Sequence, residues 1–364
     1  MIAAVVVLLV LLTGLPLVGL SLVGAPIGPY LEFPPQTHVV QPAPFSWPVF
    51  LVLSLSVVWA VGPVVWRLIA SRRSDRTQFR SLRPFPWWGW AGALVTGLSW
   101  VVAWNRFPWC SALQPHTFTP LWLGYILIVN GWTLRRTGRC LLLDSPGKFF
   151  MLFPLSAAFW WSCEYLNRFV QNWYYVGAED LTPWQYLVQA TIPFSTVLPS
   201  VRSTMDLLAS FPEVTAGMDR LPPLRCHRQR WAAAALLIAA SAGLTGIGIW
   251  PASLFPLVWV APLFLITALQ MFMGAETIFS RAEEGDWSEM WLAAVAALIC
   301  GFCWEMWNSK SLAHWEYAIP AVHRFKLFEM PLLGYAGYLP FGLECLAVTK
   351  FIFAHHVGHR LKPR

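Results

Sequence analysis

Residues 300–348 read CGFCWEMWNSKSLAHWEYAIPAVHRFKLFEMPLLGYAGYLPFGLECLAV. The stretch sets Glu305, Glu329 and Glu344 inside or beside segments of Trp, Leu, Phe, Gly and Pro. Apolar runs of this kind suit a bilayer, where an ionisable group is costly enough to mark a functional site by default. A looser copy of the pattern surrounds Glu164, about 140 residues earlier.

The rest of the chain agrees with that reading. Hydrophobic residues make up 57% of the 364 positions and charged residues 12%, against roughly 25% charged in a soluble domain. Soluble globular and disordered classes are excluded. Many of the 23 tryptophans sit at the ends of apolar runs, as interfacial belts do. The net charge of +7 is divided among several loops rather than forming one patch, so it implies no nucleic-acid partner. Seven cysteines without scaffold-like spacing imply no disulfide framework. Cys300-x-x-Cys303 lies in mid-span and is read as packing rather than as a redox pair.

The fold class expected is an all-α, polytopic transmembrane bundle of about ten spans. They cover roughly 2–23, 48–66, 87–104, 119–134, 149–170, 186–209, 231–249, 254–273, 291–308 and 330–353. The first is read as an anchored helix rather than a cleaved signal, because its apolar run is long for a signal. With loop 67–86 placed inside, the inner loops and tail hold 18 Lys and Arg and the outer loops four. That bias puts both termini in the cytoplasm of an integral, bacterial inner-membrane type protein.

Spans three to six and seven to ten read as a tandem parallel repeat of a four-helix unit. The divisions are 1–86 (two N-terminal spans), 87–210 (first repeat), 211–230 (linker), 231–354 (second repeat) and 355–364 (basic tail). Glu164-x-x-Asn167, then Trp173-Tyr174, matches Glu305-x-x-Asn308, then Trp315-Glu316-Tyr317. Pro193 precedes Asp206, and Pro331 precedes Glu344, by the same 13 residues. An even number of spans repeats in one orientation, so a shared site would lie on an axis along the membrane normal.

Glu164, Asn167 and Arg168 share a helix face, as do Glu305 and Asn308. Glu164 lies about 15 residues, or roughly 22 Å, above the inner end of its span. Arg168 is expected to neutralise Glu164. Glu305 has no such cation, which makes it the best candidate for a general acid or proton-coupling group. Glu344 follows the helix-breaking Pro340 and Gly342 and is the third catalytic candidate, in an inner layer with Asp206. Asp206 is expected to pair with Arg202, and Glu329 with Lys326. Asn167, Asn308, Trp304, Trp307, Tyr335 and Tyr338 are the substrate-binding candidates. His314 and His323 are possible proton partners, and His355, His356 and His359 read as a basic tail rather than a metal site. No cofactor or metal is implied, and no phosphate-binding Gly loop, Gly-x-Ser-x-Gly or dinucleotide fingerprint occurs.

Three functions fit. The first is binding of, or action on, an isoprenoid or lipid at an intramembrane carboxylate and aromatic site. The second is proton-coupled transport. The third is a non-catalytic membrane anchor for a larger complex, with loops 67–86 and 274–290 as docking points. The partners implied are the bilayer and an apolar or lipid ligand.

Overall fold

The computed structural model describes residues 2–34, 40–71, 82–177 and 180–353. The histidine-containing tail and most of the basic loop lie outside the described residues. The chain is mostly helical. In order, the helices are α1 Ile2–Leu22, α2 Trp47–Ser71, α3 Trp87–Trp104, α4 Phe118–Thr137, a turn α5 Leu141–Asp144, and α6 Pro146–Val170. They continue with α7 Pro183–Phe194, α8 Val197–Ala209, α9 Gln229–Ile249, a turn α10 Pro251–Leu254, α11 Ala261–Phe272, α12 Ser288–Asn308 and α13 Tyr338–Phe353. Among the described residues, five helical stretches are long and apolar enough to cross a membrane alone, or six if the bent pair ending in α11 counts as one span.

Three segments expected as single helices are broken. The sixth divides into α7 and α8 at Ser195 and Thr196, just after Pro193. Ser156 of α6 repairs the break: its Oγ donates to the Phe194 carbonyl at 2.6 Å and accepts from the Leu198 amide at 3.0 Å. A broken helix in an apolar setting is tolerated when its freed backbone groups find partners of this kind. The eighth bends by 49° between the Pro251–Trp259 segment and α11. The tenth begins as a 3-10 turn, Leu332–Gly337, after Pro331, and becomes α-helical at Tyr338. Proline lacks an amide hydrogen and clashes with the preceding turn, which accounts for breaks at these places.

Two small antiparallel ribbons were not expected. Strand β1 (Trp173–Val176), after α6, pairs with β2 (His314–Tyr317), after α12. A second ribbon joins β3 (Lys326–Leu327) to β4 (Met330–Pro331). The main core lies between α4, α6, α8, α11, α12 and α13, with Trp122, Leu152, Val201, Ile266, Ala297 and Phe341 among its buried side chains. α12 and α13 cross closely, since a Cβ on Gly342 would overlap the Ala293 carbonyl.

Candidate functional site

The site begins at the end of α6. Gln171 takes a left-handed conformation (φ 53°) and turns the chain out of the helix. Asn167 draws it back: its Oδ1 accepts from the Asn172 amide at 2.8 Å, and its Nδ2 donates to the Trp173 carbonyl at 2.8 Å. β1 is therefore laid beside the last turns of α6. Glu164, fully buried, receives three donors on Oε1: Trp160 Nε1 at 2.9 Å, Trp173 Nε1 at 3.0 Å and the Tyr175 hydroxyl at 2.6 Å.

The end of α12 is built the same way. Asn308 Nδ2 donates to the Trp315 carbonyl at 2.7 Å, and the Trp315 amide returns a bond to Oδ1 at 2.8 Å. Glu305, also fully buried, accepts on Oε1 from the hydroxyls of Tyr317 and Tyr338, each at 2.6 Å. Trp315 Nε1 donates to the Tyr317 hydroxyl at 2.8 Å. Both ends thus follow one scheme. An Asn one turn after a Glu clamps the first Trp of a Trp-x-Tyr strand, and the Tyr of that strand reaches the Glu.

The ribbon joins the two ends. Trp173 lies opposite Tyr317, Tyr174 opposite Glu316, and Tyr175 opposite Trp315. Side chains alternate along a strand, so Trp173, Tyr175, Trp315 and Tyr317 leave one face together. On the other face the Tyr174 hydroxyl donates to Glu316 Oε2 at 2.6 Å, and His314 Nε2 lies 3.5 Å from Glu316 Oε1. Donation to Glu316 pushes the Tyr174 hydroxyl up to about 12.

The four aromatic residues line a cavity of about 670 Å³. Its walls include Trp160, Tyr186, Trp259, Trp304, Tyr338 and Phe341, and none of its lining residues is Asp, Glu, Lys or Arg. Glu164 and Glu305 lie behind the wall, each bonded to aromatic residues that line it. The Oε2 atoms of both are buried without a hydrogen-bond partner, so each carboxyl keeps one oxygen for a proton or a polar ligand group. Leu53, Ser56, Val57, Ala60 and Val61 of α2 form one side of the cavity, yet no residue of α2 is buried. α2 is therefore an outlying wall that packs lightly on the rest.

The expected residues divide clearly. Trp304 and Tyr338 line the cavity, and Tyr338 also bonds Glu305. Asn167 and Asn308 spend their amides on backbone. Trp307 is buried against Trp122 and Trp100. Tyr335 donates to the Leu327 carbonyl at 3.1 Å, tying the chain to β3. Glu344 is buried in α13 outside the lining, and its Oε2 has no partner. The helix break expected at Pro340 and Gly342 does not form: α13 runs unbroken from Tyr338 to Phe353, because Pro340 falls in its first turn, where no amide partner is lost.

The expected Glu164–Arg168 pair is corrected. Arg168 NH1 donates instead to the carbonyls of Pro29 and Glu32, at 3.0 and 2.7 Å, and so fastens the segment after α1. The spacing makes the two residues neighbours, but aromatic donors occupy the carboxyl and carbonyls occupy the guanidinium. The pairs Arg202–Asp206 (3.0 Å) and Lys326–Glu329 (3.5 Å) form as expected. His314 faces Glu316, and His323 lies edge-on to Phe45. Cys300 and Cys303 are free thiols, and Cys300 Sγ sits 3.4 Å from Thr204 Oγ1. The sequence reading missed Trp160, Tyr175 and Tyr186. The Trp-x-Tyr shared by 173–175 and 315–317 was the available signal for Tyr175.

Comparisons with protein-family models, with curated proteins and with solved structures return no match for the chain.

Proposed function

We propose that this protein is a membrane-embedded receptor or enzyme for an apolar ligand of the lipid or isoprenoid class, held in the aromatic cavity beneath the β1–β2 ribbon. The observation that carries the reading is the cavity's composition. A space of about 670 Å³ walled mostly by Trp, Tyr, Phe and aliphatic side chains, with Ser56, Asn172, Gln189 and His314 as its few polar members and no Asp, Glu, Lys or Arg, matches an apolar molecule better than a hydrated ion. Tyr338 belongs to the wall and donates to Glu305 directly behind it; a relay to the cavity would have the Tyr338 hydroxyl turn, give its own proton to the ligand and take up the one held on the Glu305 carboxyl. Aromatic faces around it would stabilise positive charge developing on an alkene. The position of both carboxyls behind the wall ranks this reading above proton-coupled transport, which calls for acids along an aqueous path.

The same proposal includes ten spans, two tandem four-helix units and cytoplasmic termini. Its support is the repeated Glu-x-x-Asn and Trp-x-Tyr bonding, the pairing of β1 with β2, and the distribution of Lys and Arg.

The test is mass spectrometry of the apolar molecules that co-purify with the full chain, compared with Glu305→Gln and Gly337→Phe. Gly337 lines the cavity, and a Cβ there meets nothing nearer than Trp259 at 4.0 Å. A phenylalanine at that position fills ligand space. The expected result is a discrete lipid or isoprenoid on the wild type, lost from Gly337→Phe and altered in amount or chemical form on Glu305→Gln. Identical lipid profiles for all three proteins would refute the proposal.

A further inference from the structure

A second pocket, of about 290 Å³, lies where α6 begins and α13 ends. We propose that it holds the phosphate of a net-anionic lipid headgroup, one without a neutralising ammonium, with the attached apolar chain lying along Leu152 and Phe353. This inference is independent of the aromatic cavity and rests only on the chain's membrane character.

Ser145-Pro146-Gly147-Lys148 opens the 25-residue α6. The amides of a first helical turn have no partner within the helix, and the helix dipole makes that end electropositive. Ser145, at the cap, forms no side-chain capping bond, so its hydroxyl is uncommitted to the helix. Three cationic side chains line the same pocket: Lys148, Arg202 and Lys350. Lys350 is held by Glu276 at 2.8 Å and Glu289 at 2.7 Å. Arg202 gives NH2 to Asp206 at 3.0 Å, while its Nε is buried with no partner at all. Lys148 forms no ion pair among the described residues.

An unpartnered guanidinium N–H, an unpaired ammonium, a free hydroxyl and a helix N-terminus around one pocket are the groups that bind phosphate oxygens. Leu141, Leu152 and Phe353 add apolar surface, which a free inorganic anion would leave uncovered, and Thr349 and the Glu276 carboxylate, which is engaged by Lys350, complete the lining. An amphiphile satisfies both sets of groups. Basic pockets between spanning helices at the membrane surface recognise anionic headgroups in this manner.

The experiment places the full chain in phosphatidylcholine nanodiscs containing a minor fraction of phosphatidylglycerol and reads retained lipid by native mass spectrometry. The wild type should retain phosphatidylglycerol over phosphatidylcholine. Lys148→Gln should lower that preference by about fivefold, with a larger fall for Lys148→Glu. Lys148 is exposed, so both variants should keep the wild-type thermal midpoint in phosphatidylcholine alone. Lys310→Gln, beyond the far end of α12, should retain lipid as the wild type does. A second arm adds inorganic phosphate in phosphatidylcholine alone. A Lys148-dependent rise in thermal midpoint there, without phosphatidylglycerol retention, would support the phosphate site and assign its occupant to solution. Absence of both effects, or equal loss in Lys148→Gln and Lys310→Gln, would overturn the proposal.

Discussion

Glu305 and Tyr338 are 33 residues apart, and their 2.6 Å hydrogen bond depends on a residue with no side chain. Gly301 lies one turn before Glu305 on α12, and a Cβ there would run into the ring of Tyr338. Gly301→Ala should displace the ring and lengthen or break the bond. Tyr338→Phe removes the bond without adding bulk and should cost about 1.5–3 kcal/mol of stability if the carboxyl is charged, less if neutral. Thermal unfolding of the purified protein, with Glu305→Gln and the double variant completing a cycle, measures the coupling. A coupling energy near zero would mean that the two side chains do not interact. Proximity in sequence was a poor guide at this scale. Arg168 is four residues from Glu164 and bonds elsewhere, because helix spacing decides which residues are near and competing donors decide which of them bond.

At the scale of elements, the β1–β2 ribbon is the decisive piece. Each strand is only four residues long, and an isolated hairpin of that size is marginal in water. Here each strand is clamped to the helix before it by an asparagine, and its aromatic side chains are buried or hydrogen-bonded. Asn308→Ala should release β2. Amide hydrogen exchange over 314–317 should accelerate, and that over 173–176 with it, since the strands share their hydrogen bonds. If exchange in both strands is unchanged, the clamp does not hold the ribbon. Apolar runs located most of the helices, but the breaks at 194–196 and 331–337 were not expected. The ribbon escaped because four-residue strands carry too little alternation to distinguish them from loop. The outlying α2 was legible as a span, but its position against the cavity was not.

For the whole molecule, the strands that follow α6 and α12 meet at one mostly apolar space, and a ligand in it would touch side chains from both strands. Replacing Asn167 and Asn308 together should therefore reduce ligand retention more than either alone, by mass spectrometry of co-purified lipid. Equal retention in single and double variants would detach the ribbon from binding. Topology is tested separately. Reporter tags at residue 220 and at the C-terminus should both report the cytoplasm, and a tag near residue 310 the opposite side. Any tag on the wrong side removes the ten-span arrangement. Membrane character, mostly helical class and most helix positions were legible in the sequence itself, because burial in lipid imposes long apolar runs, and those runs made Glu164 and Glu305 conspicuous as acids within them. Only the tertiary structure decided which groups those acids bond, that Glu344 stands away from the cavity wall, and that the aromatic residues line a common space. Those properties arise from contacts between segments far apart in the chain, and no local pattern of residues encodes where such segments meet.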